Sequence, residues 1–366
     1  MLAKQISLND SPSGVVSNSM NGTTDPTERT QQEYQIRIPD MFASIMASKP
    51  ILNPNQSIIK SREDWWLETM AIKDRKWAAI NQKPNFGYMA SIWAPTCDEE
   101  ALEMMVDWNW WVFMFDDQFD EGHLSNNLSA AKEEIDIAIG IMEETQPRYT
   151  MEDSLIRYTF QTSCDRLKKR AGPELREHWK EMHKRYFNGL LEQVQVTESK
   201  RTYTRNVEEY VHMRRGTIGA YPSIALVQYA LGINLPLDVI NHPSLQECMC
   251  VCVDFVHLHN DIMSYRKDKV LGVDQNIIML LMKQGLSPQE AIDKVGTMLN
   301  DCYKRWYTAL LDMPVCGENI DREVLRFVEA CRNVALGNLY WSFSTGRYLG
   351  PEAKSVYETR TLTLTC

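Results

Sequence analysis

From Tyr34 onward, apolar residues recur at the three- and four-residue spacing of a helix with one buried face, and strand-like alternation is scarce. Chain breakers are widely spaced, at Gly172-Pro173, Gly232 to Pro236, His242-Pro243 and Met313 to Asn319. The intervals predict helices of about 15 to 30 residues joined by short connections. One start is fully written: Ser287 as N-cap, Pro288 in the first helical position and Glu290 as the capping-box acid. Its apolar stripe follows at Ala291, Val295, Met298, Leu299, Cys302 and Trp306. Residues 1–34 are rich in Ser, Asn, Thr and Asp and predict a disordered N-terminal tail, and residues 353–366 a C-terminal tail. No fixed repeat period appears, which argues against a solenoid. The pattern predicts an all-α fold, a single large helical bundle.

Bulk chemistry narrows the function classes. Of 366 residues, 44% are hydrophobic and 24% charged, enough apolar material for one large core. A formal net charge of −10 argues against nucleic acid or an anionic membrane surface as partner. An anionic small substrate stays open if metal ions and local Arg or Lys reverse the field. No run approaches the ~18 apolar residues of a membrane span, and no basic-then-apolar leader opens the chain. A cytoplasmic protein is expected, with no membrane insertion. Nine cysteines occur without CxxC pairs, and Cys248, Cys250 and Cys252 alternate within a helical segment and share no face. They read as free core thiols.

Two polar clusters break the apolar pattern. Trp108 to Phe115, mostly aromatic, runs directly into Asp116-Asp117-Gln118-Phe119-Asp120. Aspartate disfavours helix interiors and C-termini, yet here Asp116 and Asp120 sit four apart on one helical face. Such oxygens suit a hard divalent cation, and Mg²⁺ in particular leaves coordination positions for water and phosphate. The second cluster, Asn260-Asp261-Ile262-Met263-Ser264-Tyr265-Arg266-Lys267-Asp268, places Asn260, Ser264 and Asp268 at i, i+4 and i+8. Either cluster alone is also what a solvated helix end looks like; two on separate helices are rarer by chance. Basic groups follow: Arg214 and Arg215 before Gly216 and Gly219, Lys267 within the second cluster, and Arg347-Tyr348 after Tyr340-Trp341-Ser342-Phe343. Guanidinium groups grip phosphate bidentately and a tyrosine hydroxyl adds a neutral donor.

In this order and spacing, the motifs resemble those of the class I terpene synthases, particularly the fungal sesquiterpene cyclases. DDQFD is similar to the first metal motif, DDxxD, and NDIMSYRKD to the second, NDxxSxxxE. Arg347-Tyr348 is similar to the family's RY pair, and Arg214 to its diphosphate-sensing arginine, with Arg215 as second choice. One departure is that Asp268 stands where the family usually has Glu, which keeps the carboxylate and shortens its reach.

The resemblance implies a helical bundle around an apolar cavity, residues 35–352 forming the cyclase domain. It implies three Mg²⁺ held by Asp116, Asp120, Asn260, Ser264 and Asp268, with Arg214, Lys267, Arg347 and Tyr348 binding the diphosphate. The small-molecule partner is a linear prenyl diphosphate, farnesyl diphosphate by preference, and the assembly a monomer or homodimer. Ten Trp, fifteen Tyr and ten Phe can supply an aromatic wall, for which Trp93, Phe113, Phe119, Tyr221 and Trp341 are candidates. Two other readings remain. A chain-elongating prenyltransferase shares the fold but resembles a second DDxxD where this chain has NDIMS. A non-catalytic helical binding protein would need neither polar cluster.

Overall fold

The computed structural model describes residues 33–81, 83–199, 206–273 and 275–365. It opens with strand β1 (Glu33–Arg37) and helices α1 (Gln56–Lys73), α2 (Arg75–Ile80), α3 (Phe86–Trp93) and α4 (Glu99–Asp120). Next come α5 (Leu128–Met142), α6 (Leu155–Arg170), α7 (Pro173–Glu198), α8 (Val207–Thr217), α9 (Ala220–Ala230) and α10 (Leu237–Ile240). The chain continues through α11 (Pro243–Leu271), α12 (Ile277–Lys283), α13 (Pro288–Leu311) and α14 (Glu318–Ser344), and closes with α15 (Ala353–Thr359) and β2 (Thr361–Thr365). The all-α bundle expected from the periodicity is what forms. The capping box at Ser287 is present, with both the Ser287 and Glu290 side chains engaged.

Helix α4 is the central rod. Asp98 caps its start by accepting from the Ala101 amide, and Glu99 and Glu100 sit in its first turn, where the helix dipole favours negative charge. Its middle is buried on nearly every side and mostly apolar, with Asp107 and Asn109 as the buried polar residues, as suits a helix enclosed by others. Trp110 stacks on Trp66 at 5.3 Å, and Trp111 stacks on Phe160 at 4.1 Å. Beneath it, α7 and α8 cross with backbones in contact. A Cβ on Gly189 would lie 2.5 Å from the Gly216 carbonyl carbon, so only glycine allows this approach. The α8–α9 break at Gly219 takes a left-handed φ of 72° beside Val112 of α4. These two features bring the end of α8 alongside the last turns of α4.

The expected C-terminal tail is corrected by the structure. Residues 353–365 form α15 and β2, and β2 pairs antiparallel with β1, Tyr34 opposite Leu364 and Ile36 opposite Leu362. The physical reason is the alternation Thr-Leu-Thr-Leu-Thr, which buries Leu362 and Leu364 beside Ile36 while Thr361 and Thr363 on the opposite face are only half-buried. The Gln289 side chain clamps the ribbon through the Arg37 amide (2.8 Å) and carbonyl (2.9 Å). The expected N-terminal tail lies outside the described residues except for Glu33 and Tyr34, which belong to β1. Leu362→Ala is expected to lower stability by about 2–4 kcal/mol, the range for an emptied leucine site. A denaturant titration checks this, and an unchanged midpoint would make the ribbon a surface ornament.

Among the described residues the cysteines are free thiols: Cys248 and Cys252 are buried and Cys250 is half-buried. Burial pushes the Cys248 thiol up to about 12, the behaviour of an inert core group.

Candidate active site

The last two turns of α4 carry the first cluster. Asp116 Oδ1 accepts from the Tyr186 hydroxyl at 2.7 Å, and Asp120 Oδ1 accepts from Gln193 Nε2 at 2.6 Å. Tyr186 and Gln193 are seven residues apart on α7, so one face of that helix sets both carboxylates. Asp116 is half-buried and Asp120 exposed. Desolvation and then the neighbouring Asp120 charge hold the Asp116 pKa well above the usual carboxylate range. Two like charges at the negative end of a helix dipole call for a cation. Asp117 is rotated away from this pair: its Oδ2 accepts from Trp77 Nε1 at 2.7 Å, and Oδ1 lies 3.5 Å from Arg347 Nη2.

The second cluster lies on α11. Asn260 Oδ1 accepts from Arg214 Nη2 at 3.0 Å, and its Nδ2 donates to the Tyr348 hydroxyl at 3.0 Å. Ser264 Oγ donates to Asp268 Oδ2 at 2.5 Å, and Asn276 Nδ2 donates to the same oxygen at 3.0 Å. Asp268 is thus buried within the triad, its pKa raised chiefly by burial. Its neighbours turn elsewhere: Arg266 pairs with Glu352 at 2.7 Å, and Lys267 faces Glu121 at 3.7 Å. Among the described residues, no group of three or more His, Cys, Asp and Glu side chains forms a ready-made metal cage. The donor set is instead carboxylate, amide and hydroxyl oxygen spread over two helices, which fits a hard divalent cation completed by phosphate oxygens.

Arg214 joins the clusters. Its Nη2 sits 3.4 Å from Asp261 Oδ1, and its side chain is only 11% exposed. Burial works against its charge, yet Asp261, Tyr210, Asp120 and Asp116 together hold its pKa above the ordinary value. Arg215, one residue and about 100° further round α8, turns outward and makes a two-pronged pair with Asp254 at 2.6 and 2.8 Å. Arg305 also engages Asp254 (2.5 Å), so Arg215 belongs to a structural ion cluster. Of the two arginines, Arg214 is the one placed beside both clusters. Arg347 lies 5.2 Å over the Phe113 ring and hydrogen-bonds Asn81 through Nη1. The Nε groups of Arg214 and Arg347 are both buried without a partner, two strong donors awaiting an acceptor.

Beside Asp116 lies a narrow cavity of about 60 Å³, lined by Trp93, Phe113, Val112, Tyr186, Ile218 and Val256 among others. On the other side of the α4 terminus, a groove of about 870 Å³ is bordered by Asp117, Glu121, Lys267, Arg347 and Tyr348. Of the five expected wall residues, Trp93 and Phe113 line the cavity and three do not. Phe119 packs at 5.0 Å on Phe115 and is absent from the cavity wall. Tyr221 lies under the Arg185 guanidinium at 3.7 Å. Trp341 is buried behind Phe113 at 5.3 Å, its Nε1 donating to the Pro84 carbonyl. Aromatic composition does not tell which side of a helix a ring takes.

The description "Terpene synthase family 2, C-terminal metal binding" matches residues 107–305, a span that contains both clusters and Arg214. The chain belongs to this terpene synthase family. It is 44% identical over 346 residues to the (+)-eremophilene synthase of Gibberella fujikuroi, covering 94% of this chain and 95% of that one. To the (1R,4R,5S)-(-)-guaia-6,10(14)-diene synthase of Fusarium mangiferae it is 46% identical over 331 residues, covering 88% and 82%. In fold it is similar to the crystal structure of a-eudesmol synthase, with a TM-score of 0.70 at 19% identity, covering 82% of this chain and 98% of that one. Within this terpene synthase, sequence reasoning missed Tyr186, Gln193 and Asn276. Each is a polar residue in an ordinary helical pattern, and only the packing of α7 and of the α11–α12 turn brings it to the clusters.

Proposed function

We propose that this terpene synthase ionises farnesyl diphosphate and cyclises the resulting carbocation to a sesquiterpene, releasing diphosphate. The observation that carries the reading is a pair of buried, unpartnered Nε donors: that of Arg214, which bonds Asn260 of one cluster and feels the charges of Asp120 and Asp116 of the other, and that of Arg347, beside Asp117 and over the Phe113 ring that lines the apolar cavity. Asp116, Asp120, Asn260, Ser264 and Asp268 would hold three Mg²⁺, which when bound supply Lewis-acid stabilisation of the departing diphosphate. Arg214, Lys267, Arg347 and Tyr348 grip the diphosphate oxygens, the guanidiniums through paired N–H groups and Tyr348 through its hydroxyl. Trp93 and Phe113 present aromatic faces to the cation, and the buried walls exclude the water that would quench it. No side chain need attack, because the double bonds of the substrate do so. The catalytic domain spans residues 35–352, with α15 and β2 as its clasp. No described helix is long and apolar enough to cross a membrane, and the cytoplasm is the proposed site of action.

The test is incubation with farnesyl diphosphate and Mg²⁺, followed by analysis of volatiles. A cyclic C15 product supports the reading. A longer prenyl diphosphate would identify a chain-elongating enzyme, and an unchanged substrate a binding protein.

Asp268 tests the departure from the usual motif. Asp268→Glu is expected to keep near-normal activity, since it restores the common ligand with one more methylene. Asp268→Ala is expected to raise the Mg²⁺ concentration for half-maximal rate about tenfold, as one anionic ligand disappears. An unshifted Mg²⁺ curve for Asp268→Ala would remove it from the site.

A further inference from the structure

Asn109 sits on α4 two turns before Asp116, on the same face, and lines the same cavity. It is fully buried. Its Nδ2 donates to the Met105 carbonyl at 2.8 Å, which fixes the orientation of the amide and turns Oδ1 the other way. That oxygen has no hydrogen-bond partner. The half-buried Asn338 of α14 lines the same cavity and carries a second buried, unpartnered Oδ1. A buried acceptor without a donor is costly and rare, and two on one cavity whose other walls include Val112, Phe113 and Val256 need an occupant.

We propose that the Asn109 amide oxygen, seconded by Asn338, is a specificity-determining group that holds positive charge in the distal part of the cyclising chain. This rests on the cyclase reading above. Seven residues of helix separate Asn109 from Asp116, about 10 Å at 1.5 Å per residue. With the diphosphate at Asp116, Asn109 therefore meets the far isoprene units and not the carbon that loses the diphosphate. An amide oxygen carries partial negative charge and is a very weak base, so it stabilises a cation there without taking its proton. The cation then lives long enough to reach the next ring closure.

The experiment compares wild type, Asn109→Leu and Asn109→Ser with farnesyl diphosphate and Mg²⁺, following diphosphate release, product ratios and melting temperature. Leucine keeps the volume and removes the oxygen. Serine guards against a folding failure, because helical serines in this protein, such as Ser91 and Ser223, turn their hydroxyl to the carbonyl four residues back. Diphosphate release is expected to stay within about threefold of wild type, while the ratio of fully cyclised to acyclic and early-cyclised hydrocarbons falls about tenfold. A folded variant with the wild-type product ratio overturns the proposal, as does loss of folding in both variants, which would make Asn109 a structural group. A wild-type product carrying oxygen from labelled water, lost in the variants, would assign the oxygens to a water site and also overturn it. Absence of any turnover by wild type is a different result and defeats the cyclase reading itself.

Discussion

Asp116→Asn is expected to lower turnover at least ~100-fold at saturating Mg²⁺, the loss that accompanies roughly 3 kcal/mol of charge stabilisation. The substitution keeps the size of the side chain. Tyr186 can still donate to the amide oxygen as it does to Asp116 Oδ1, so the α4–α7 contact survives. What disappears is the negative charge of the half-buried member of the first cluster. Without it, one fewer anionic oxygen is available to a divalent cation at a helix terminus that already repels Asp116 from its charged state. Unchanged melting together with a large loss of turnover would assign the effect to the site. Near-normal turnover in the folded variant would sink the metal-binding role of Asp116.

Arg214→Met is expected to reduce kcat/KM by about 100- to 1000-fold, in line with the removal of a buried, charge-assisted donor from a transition state. The loss should fall more on kcat than on KM, because the diphosphate gains charge as the carbon–oxygen bond breaks. Asp261 Oδ2 keeps its bonds from the Tyr210 hydroxyl (2.6 Å) and the Ile277 amide (3.0 Å), while the buried Oδ1 loses the guanidinium it faces. A stability cost of about 1–3 kcal/mol is therefore expected. Arg214→Lys should recover only part of the rate, since an ammonium lacks the fork that reaches Asn260 and a phosphate together. Steady-state kinetics and thermal melts on the two variants decide it. Equal losses in the adjacent Arg215→Met, whose partner is Asp254, would instead point to the integrity of α8.

The relation between chain and site is clearest at these two arginines. Adjacent in sequence, they are ranked by motif resemblance alone as first and second choice, and one helical step separates the arginine beside both clusters from the one paired with Asp254. Asp116 and Asp117 divide in the same way: the first turns to Tyr186, the second to Trp77 and Arg347. The C-terminal strand shows the converse. Thr361 to Thr365 alternates in plain view, but five residues of alternation gain weight only when β1, more than 320 residues earlier, supplies the partner.

The sequence by itself determined the helical class, the Ser287 start, the pairing of Asp116 with Asp120 on one face and the ordering of Asn260, Ser264 and Asp268. All of these depend on periodicity within a single helix, where a spacing of three or four residues is also a position in space. The tertiary structure decided which faces meet. It placed Trp93 and Phe113 on the cavity wall and not Phe119, Tyr221 or Trp341, set Arg214 and not Arg215 beside the clusters, brought Tyr186 and Gln193 to the carboxylates, and left the Asn109 oxygen bare. Those outcomes depend on helix crossings such as the Gly189–Gly216 contact, set by the fit of side chains far apart in sequence, and no local pattern carries that information.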